Sequence, residues 1–191
     1  DNGKLVPYES YHDNGYIESR RYWREDPNSD SLISTGEWIY YHGNHDGTPT
    51  LKYLYDNDGK LLEKTNYYRG GWSSNHGTIE SITKYEDNKT VFYEEYWSQR
   101  LKEKGEIRIK GTFGDEGWEK DEFFWYNGKI ILKQEKNDNS EEGGYFRTCF
   151  LPSGEIDYSG VVKTRYRYRD FFSRNHIMGH FPDWNREYEK D

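Results

Sequence analysis

The stretch that decides the fold is Tyr55-Asp56-Asn57-Asp58-Gly59-Lys60-Leu61-Leu62-Glu63, an aromatic residue followed by a polar turn and then by aliphatic residues. Asp-Gly and Asn-Gly pairs accept the positive φ angles that a type I′ turn requires, and the twist of that turn matches two paired strands. The stretch therefore predicts a tight β-hairpin. A calcium loop is excluded, because an EF-hand aligned on Gly59 would need acids where Leu54 and Thr65 stand.

The same phrase recurs along the chain, with an aromatic residue before the turn and an aliphatic residue after it. Its further copies lie at residues 11–18, 125–131 and 150–156, with a degenerate copy at 85–91 in which Lys89 takes the glycine position. The intervals between copies vary, which favours an irregular array of hairpins over a tandem solenoid.

Composition supports a β fold that buries aromatic side chains. Hydrophobic residues make up only 32% of the 191 residues, but the chain has 19 Tyr, 9 Phe and 7 Trp and no alanine. Each aromatic ring can bury roughly 150–250 Å², and aromatic residues suit a pleated sheet. We therefore expect a mainly β fold, in which antiparallel hairpins form an elongated or curved meander sheet with little helix. An open barrel is the alternative.

The chain is expected to form a single β-repeat domain over residues 1–191. Residues 8–135 are repeat-like and residues 136–191 are less regular, while residues 93–104 fit a helix as well as a strand. Because the chain begins at Asp1 rather than Met, removal of a signal peptide, a tag or an upstream domain is expected, and both a cytoplasmic and an exported location fit.

Charge and cysteine content exclude several classes of function. The formal net charge of −8 disfavours nucleic-acid binding, which requires cations to displace condensed counterions. Cys149 is the only cysteine, so an intrachain disulfide and a zinc-finger ligand set are excluded, and its side chain is expected to be buried. No apolar run approaches the roughly 18 residues of a membrane-spanning helix.

Two stretches resemble the repeats of a known family. Residues 36–41, Gly-Glu-Trp-Ile-Tyr-Tyr, resemble the Gly-x-Trp-x-x-Tyr-Tyr phrase of MORN-variant repeats, and residues 55–68 resemble its companion phrase. Proteins with this variant are often described as YwqK-type antitoxin or immunity components. The resemblance covers about residues 8–135 and implies an elongated antiparallel sheet that binds proteins or, in some eukaryotic relatives, lipid head groups.

The resemblance and the acidic charge together predict a non-catalytic protein-binding module, an antitoxin- or immunity-like partner of a basic protein, with no cofactor. Acidic residues would steer such a partner and raise its association rate. Residues 55–61 also resemble the YD repeats of bacterial toxin shells. A structural repeat segment of a larger surface or toxin protein is therefore an alternative.

Aromatic side chains are the candidate binding residues. Tyr, Trp and Arg dominate the hot spots of protein interfaces, and we expect exposed aromatic anchors at Trp38, Tyr40, Trp72 and Trp184. Trp and Tyr rings also stack on sugars, and adjacent carboxylates are abundant. A carbohydrate-binding module or a glycosidase-like protein is accordingly the alternative from another class.

A row of cations is the sharpest local feature near the end of the chain. Strand periodicity would place four of them on one face, namely Lys163, Arg165, Arg167 and Arg169. Such a row beside aromatic rings can bind phosphate or single-stranded nucleic acid. Pairing with acidic neighbouring strands is the favoured interpretation, because this chain has a surplus of acids.

No catalytic or metal site is predicted. The chain has no Gly-x-Ser-x-Gly elbow and no glycine-rich phosphate loop. His176 and His180 have the i, i+4 spacing of helical metal ligands. Gly179 and Pro182 disfavour a helix there, so this pair is only a weak metal candidate.

Overall fold

The computed structural model describes residues 5–43, 47–68, 77–96, 107–115, 117–124, 128–137, 144–151 and 153–163. Over these residues the protein is all β, with thirteen strands in one sheet and no helix. The strands are β1 (Leu5–Tyr11), β2 (Ile17–Glu25), β3 (Leu32–Ser34), β4 (Gly36–Tyr41), β5 (Pro49–Tyr55), β6 (Leu61–Tyr67), β7 (Ile79–Glu86), β8 (Lys89–Tyr96), β9 (Ile107–Gly114), β10 (Gly117–Phe124), β11 (Ile130–Lys136), β12 (Tyr145–Phe150) and β13 (Ile156–Val162).

The sheet is an antiparallel meander in which strands adjacent in sequence are adjacent in space. The order runs from β1 to β13, with β3 and β4 both paired to β2. β1 and β13 remain as two separate edges, so the sheet is open and does not close into a barrel. The predicted meander is confirmed. Among the described residues, no helix is long and apolar enough to cross a lipid bilayer.

Copies of the repeated phrase share one turn geometry, which differs from the predicted type I′ turn. The Gly15 N–H donates to the His12 carbonyl (2.8 Å), and the His12 N–H donates to the Tyr16 carbonyl (2.8 Å). The same two bonds close the turns at residues 56–60 and 151–155. Among the described residues of the three turns, only the glycine has a positive φ, for example +84° at Gly15. These are type I turns followed by one left-handed residue, so the prediction of two left-handed residues is wrong here.

The degenerate copy forms a turn with two left-handed residues and no glycine. Asp87 (φ 46°) and Asn88 (φ 64°) connect the paired residues Glu86 and Lys89. Asp and Asn tolerate the left-handed region better than other non-glycine residues. A two-residue hairpin loop requires it at both central positions, so the turn lies one residue before the glycine position that the sequence pattern indicated.

Among the described residues, eight pairs of strands carry an aromatic residue at the end next to their connection, together with a register shift. In each, the aromatic residue of the first strand faces a partner across the turn, and the second strand then contains one extra residue. Such a bulge bends the strand and increases its local twist. The pairs are Tyr11–Ile17, Tyr41–Pro49, Tyr55–Leu61, Tyr67–Ile79, Tyr85–Thr90, Tyr96–Ile107, Phe124–Ile130 and Phe150–Ile156.

Most of the deeply buried side chains lie in β9 to β12, although Tyr96 at the end of β8 is also fully buried. Four apolar residues stand opposite one another on one face of these strands, namely Ile109, Phe123, Leu132 and Cys149. Beside them on that face, Gln134 Nε2 donates to Asp121 Oδ2 (3.1 Å), and Arg147 is also buried. A buried polar group is costly unless it is hydrogen-bonded. The predicted burial of Cys149 is confirmed.

Burial of Cys149 predicts an unreactive thiol. Desolvation raises the pKa of Cys149 to about 11, and only the thiolate reacts with disulfide reagents. At about pH 8 we expect a colorimetric thiol reagent to label the native protein at a small fraction of the rate measured after denaturation. Equal labelling rates before and after denaturation would contradict this placement.

Two glycines with nearly the same backbone conformation should differ in their tolerance of alanine. Gly15 (φ +84°) has open space around it, whereas a Cβ at Gly59 (φ +82°) would lie 2.7 Å from Ile33 Cγ2. The left-handed conformation should cost each alanine variant roughly 1–2 kcal/mol. Overpacking against Ile33 should add about 1–3 kcal/mol for Gly59→Ala. Urea unfolding measures both variants, and an equal loss would show that Ile33 does not restrict Gly59.

Candidate functional site

The strand register divides the sheet into two faces, because directly opposed residues point to the same side. Tyr8 stands opposite Arg21, and Trp38 stands opposite Tyr53. We call the side that carries these four residues the aromatic face. The other side, the charged face, carries the residues that alternate with them in each strand.

The aromatic face carries a chain of rings in contact across four strands. Ring centroids are 5.5 Å apart for Tyr8 and Trp23, 5.2 Å for Trp23 and Trp38, and 5.0 Å for Trp38 and Tyr55. Their planes are tilted or edge-to-face, the arrangement that the ring quadrupole favours. Tyr53 extends the group through contacts with Tyr40 and Tyr55. The aromatic cluster is therefore Tyr8, Trp23, Trp38, Tyr40, Tyr53 and Tyr55.

An irregularity in strand pairing lies beneath the centre of this cluster. Trp23 pairs with Ser34, but Arg20 pairs with Ile39, so two residues of β2 face the four residues 35–38. Gly36 lies within this offset and has a φ of +63°, a conformation that glycine adopts at little cost. The chain between β3 and β4 therefore interrupts its pairing with β2 and resumes it with two extra residues inserted.

This irregularity fixes the orientation of Trp38. The Tyr22 carbonyl accepts a hydrogen bond from the Thr35 N–H (3.1 Å) and a second from Trp38 Nε1–H (2.8 Å). The indole is thereby held against the Trp23 ring instead of rotating freely above the sheet. Trp38 and Tyr40 are both half-buried, so the predicted pair lies in the cluster rather than projecting as isolated anchors.

Arg21 lies at the centre of the aromatic cluster. Its guanidinium carbon is 4.6 Å from the ring centroid of Tyr8, 5.3 Å from that of Trp23 and 5.9 Å from that of Trp38. Such distances allow cation–π attraction to each ring. Arg21 is half-buried, and its Nε atom is buried without a hydrogen-bond partner.

Ion pairs across neighbouring strands dominate the charged face. Glu9 contacts Arg20 (2.8 Å), and Glu37 contacts Lys52 (3.2 Å). The Tyr11 hydroxyl, which donates to Glu9, and the Arg20 guanidinium together lower the pKa of the Glu9 carboxyl. Acids on this part of the charged face are thus largely matched by cations.

Acidic residues concentrate in turns at one end of the sheet. In a meander, successive turns alternate between the two ends, so the turns after β2, β5, β7 and β9 share one end. We call this the acidic end. The acidic residues in or beside these turns are Glu25, Asp26, Asp30, Asp56, Asp58, Glu86, Asp87 and Asp115.

Polar contacts connect each turn of the acidic end to the next. Arg24 donates to the Asn57 carbonyl (2.7 Å), and Lys60 contacts Asp87 (2.6 Å). Lys89 then reaches Asp115 (3.3 Å). The Lys60 ammonium lowers the pKa of the Asp87 carboxyl. These exposed pairs are weak individually, but together they connect neighbouring turns.

The turn at residues 26–31 is closed by its own acid. Asp26 Oδ1 accepts the Asn28 N–H (2.9 Å), and Asp26 Oδ2 accepts the Ser29 hydroxyl (2.8 Å). These two hydrogen bonds lower the pKa of the Asp26 carboxyl, the backbone bond most. Asp56 accepts the Asp58 N–H in the same way (2.9 Å), which agrees with a turn rather than a calcium loop.

Several predicted site residues lie outside the described part of the chain. Lys163 is exposed directly after β13. Outside the described residues lie Trp72, Trp184, Arg165, Arg167, Arg169, His176 and His180. Within the described ranges, no group of three or more His, Cys, Asp or Glu side chains is arranged to hold a metal ion.

Sequence reasoning missed Tyr8, Arg21 and Trp23 as members of one site. The available signal was the alternation of Arg21 and Trp23 within one predicted strand, which places both side chains on the same face. The partners of these residues lie on other strands. Only the register shows that Tyr8 and Trp38 meet them.

No protein-family model matches the chain, and no curated protein matches it. Among solved structures, a mutant of TarM from S. aureus in complex with fondaparinux, α-GlcNAc-glycerol and UDP is 12% identical and has a TM-score of 0.36, covering 58% of this chain and 20% of its own. Another TarM structure is 13% identical, with a TM-score of 0.29, over 81% and 21% of the two chains.

A Bacteroides fragilis protein of unknown function is 10% identical, with a TM-score of 0.24, over 84% of this chain and 93% of its own. This chain spans about a fifth of the length of the TarM chains that it matches. All three TM-scores are too low to carry an argument about shared fold or function.

Proposed function

We propose that this protein is a non-catalytic protein-binding module that receives a basic partner on its aromatic face, as an antitoxin- or immunity-like protein of the MORN-variant type would. The aromatic cluster around Arg21 is the observation that carries this proposal. Tyr, Trp and Arg are the residues that dominate interface hot spots, and hot spots cluster at the centre of an interface. Here these three residue types meet in one cluster.

The negative charge of the acidic end supports the prediction that the partner is basic. Tyr55 of the cluster is followed directly by Asp56, so the acidic end borders the aromatic cluster. Interfaces typically combine an apolar centre with a polar rim. Carboxylates at the rim raise the association rate of a cationic protein more than they raise its final affinity. The lowered pKa values of Asp26 and Asp87 keep this charge in place at mildly acidic pH.

A second candidate function is carbohydrate binding, and a different part of the sheet favours it. A cavity of about 760 Å³ is lined by Trp118, Glu119, Glu135 and Lys136, among others. The Trp118 ring contacts Tyr145 with centroids 5.5 Å apart. An aromatic ring beside carboxylates suits a sugar. In the aromatic cluster, by contrast, Arg21 lies over three of the rings.

Two tyrosines of the edge strand β1 form a matched pair for testing the proposal. Tyr8 is 45% exposed on the aromatic face, and Tyr11 is 58% exposed on the charged face. Loss of a hot-spot ring typically costs about 2 kcal/mol or more, which is roughly a 30-fold loss of affinity. We expect Tyr8→Ala to weaken partner binding by about that factor and Tyr11→Ala to leave it nearly unchanged.

The measurement is affinity capture from a native lysate of the cells that encode the chain, followed by mass spectrometry and titration of the captured protein. The captured protein should be basic, and its association should slow as salt is raised. Circular dichroism checks that both variants fold. Equal weakening by both variants, or binding on a glycan array without any captured protein, would overturn the proposal.

A further inference from the structure

Arg21 differs from Arg20 and Lys52, two cations of the neighbouring charged face, because no described acid of this chain pairs with it. Arg20, on the charged face, contacts Glu9 (2.8 Å), and Lys52 contacts Glu37 (3.2 Å). Among the residues that the structure describes, the Arg21 guanidinium interacts only with aromatic rings and forms no hydrogen bond or ion pair. This is notable in a chain with 35 acidic and 27 basic residues.

The strand register explains why Arg21 has no acidic neighbour among the described residues. Tyr8 stands directly opposite it on β1. The nearest residues on the same face of β2 are Ser19 and Trp23, and on β4 that face carries Trp38. None of these side chains is an acid, so among the described residues no carboxylate neutralises this half-buried guanidinium, and a carboxylate from another molecule can fill that role.

The rings hold the guanidinium in place without using its hydrogen-bond donors. Cation–π contact involves the flat surface of the guanidinium, whereas its N–H groups point outward in the plane of the group. Arg21 Nε carries one such donor, which is buried and has no acceptor. The Arg21 side chain as a whole is only half-buried and Tyr8 beside it is 45% exposed, so a ligand can approach the guanidinium from solvent along this side of the cluster.

We propose that Arg21 anchors a carboxylate of the partner protein, either an Asp or Glu side chain or a chain terminus. A guanidinium binds a carboxylate through two parallel N–H···O bonds, and a side chain that is already ordered loses less freedom on binding. One arginine matches the single charge of a carboxylate, and a protein that is basic overall still carries such groups. That the carboxylate belongs to a protein rests on the proposed function, whereas the ability of Arg21 to bind a carboxylate does not.

Acetate is the simplest probe of this chemistry. We expect titration of the ¹⁵N-labelled protein with sodium acetate, at constant ionic strength, to shift the Arg21 Nε–H and the Trp23 indole N–H resonances in a saturable manner. Acetamide, which has the same shape and no charge, should produce no saturable shift. Arg21→Gln should abolish the acetate response at the indole, and Arg20→Gln should retain it because Arg20 lies on the other face.

The wild-type titration keeps the test decisive if Arg21→Gln fails to fold. No saturable acetate shift at Arg21 Nε–H, or equal shifts with acetamide, would overturn the inference. An unchanged response in folded Arg21→Gln would also overturn it. Sodium glucuronate is the third probe. If it binds about as tightly as acetate, the result supports a protein carboxylate. If it binds more than about tenfold tighter, a difference of about 1.4 kcal/mol, the site is assigned to an acidic sugar.

Failure of this inference is distinguishable from failure of the proposed function. If acetate does not bind but Tyr8→Ala still weakens capture of a basic protein, only the role of Arg21 is wrong. If glucuronate binds much more tightly than acetate and no protein is captured, the protein-binding function itself is wrong. Retention of partner binding by Arg21→Gln, together with loss in Tyr8→Ala, would likewise exclude Arg21 as the anchor.

Discussion

The contact between an aromatic ring and its cross-strand partner beside a turn is the interaction on which this sheet depends. The described residues form one sheet, so much of the apolar area has to be buried between neighbours on the same face. Rings such as Tyr41, opposite Pro49, provide this contact next to the turn, and the extra residue that follows adds twist. Trp23 and Trp38 extend ring contacts across the sheet and form the centre of the candidate site.

The overall fold could be predicted from the sequence because its signals are local. An aromatic residue, a glycine turn and an aliphatic residue stand within a few positions of one another, as in residues 55–61. The predicted turn type is wrong for the three glycine turns, because the dipeptide alone does not distinguish two left-handed residues from one. The register shifts were not predictable either: the extra residue, such as Glu18 or Arg108, has no distinctive sequence.

The candidate site could be predicted only in part. Trp38 and Tyr40 were recognised from a repeat phrase, but their neighbours depend on long-range pairing. The offset around Gly36 brings Trp38 against Trp23, and no pattern in the chain specifies where β4 rejoins β2. The environment of Arg21 is formed by three strands together, so only the register shows that none of its described neighbours on these strands is an acid.

Hydroxyl-radical footprinting of the complex with the captured partner tests the central claim, that the aromatic face is the binding face, most directly. Free and bound protein are oxidised in parallel, and the modification of each aromatic side chain is measured by mass spectrometry. The account predicts that oxidation of Tyr8 and Trp23 falls several-fold on binding, while that of Tyr11 and Phe146 on the charged face stays the same. Protection of Tyr11 and Phe146 with Tyr8 and Trp23 unchanged would contradict it.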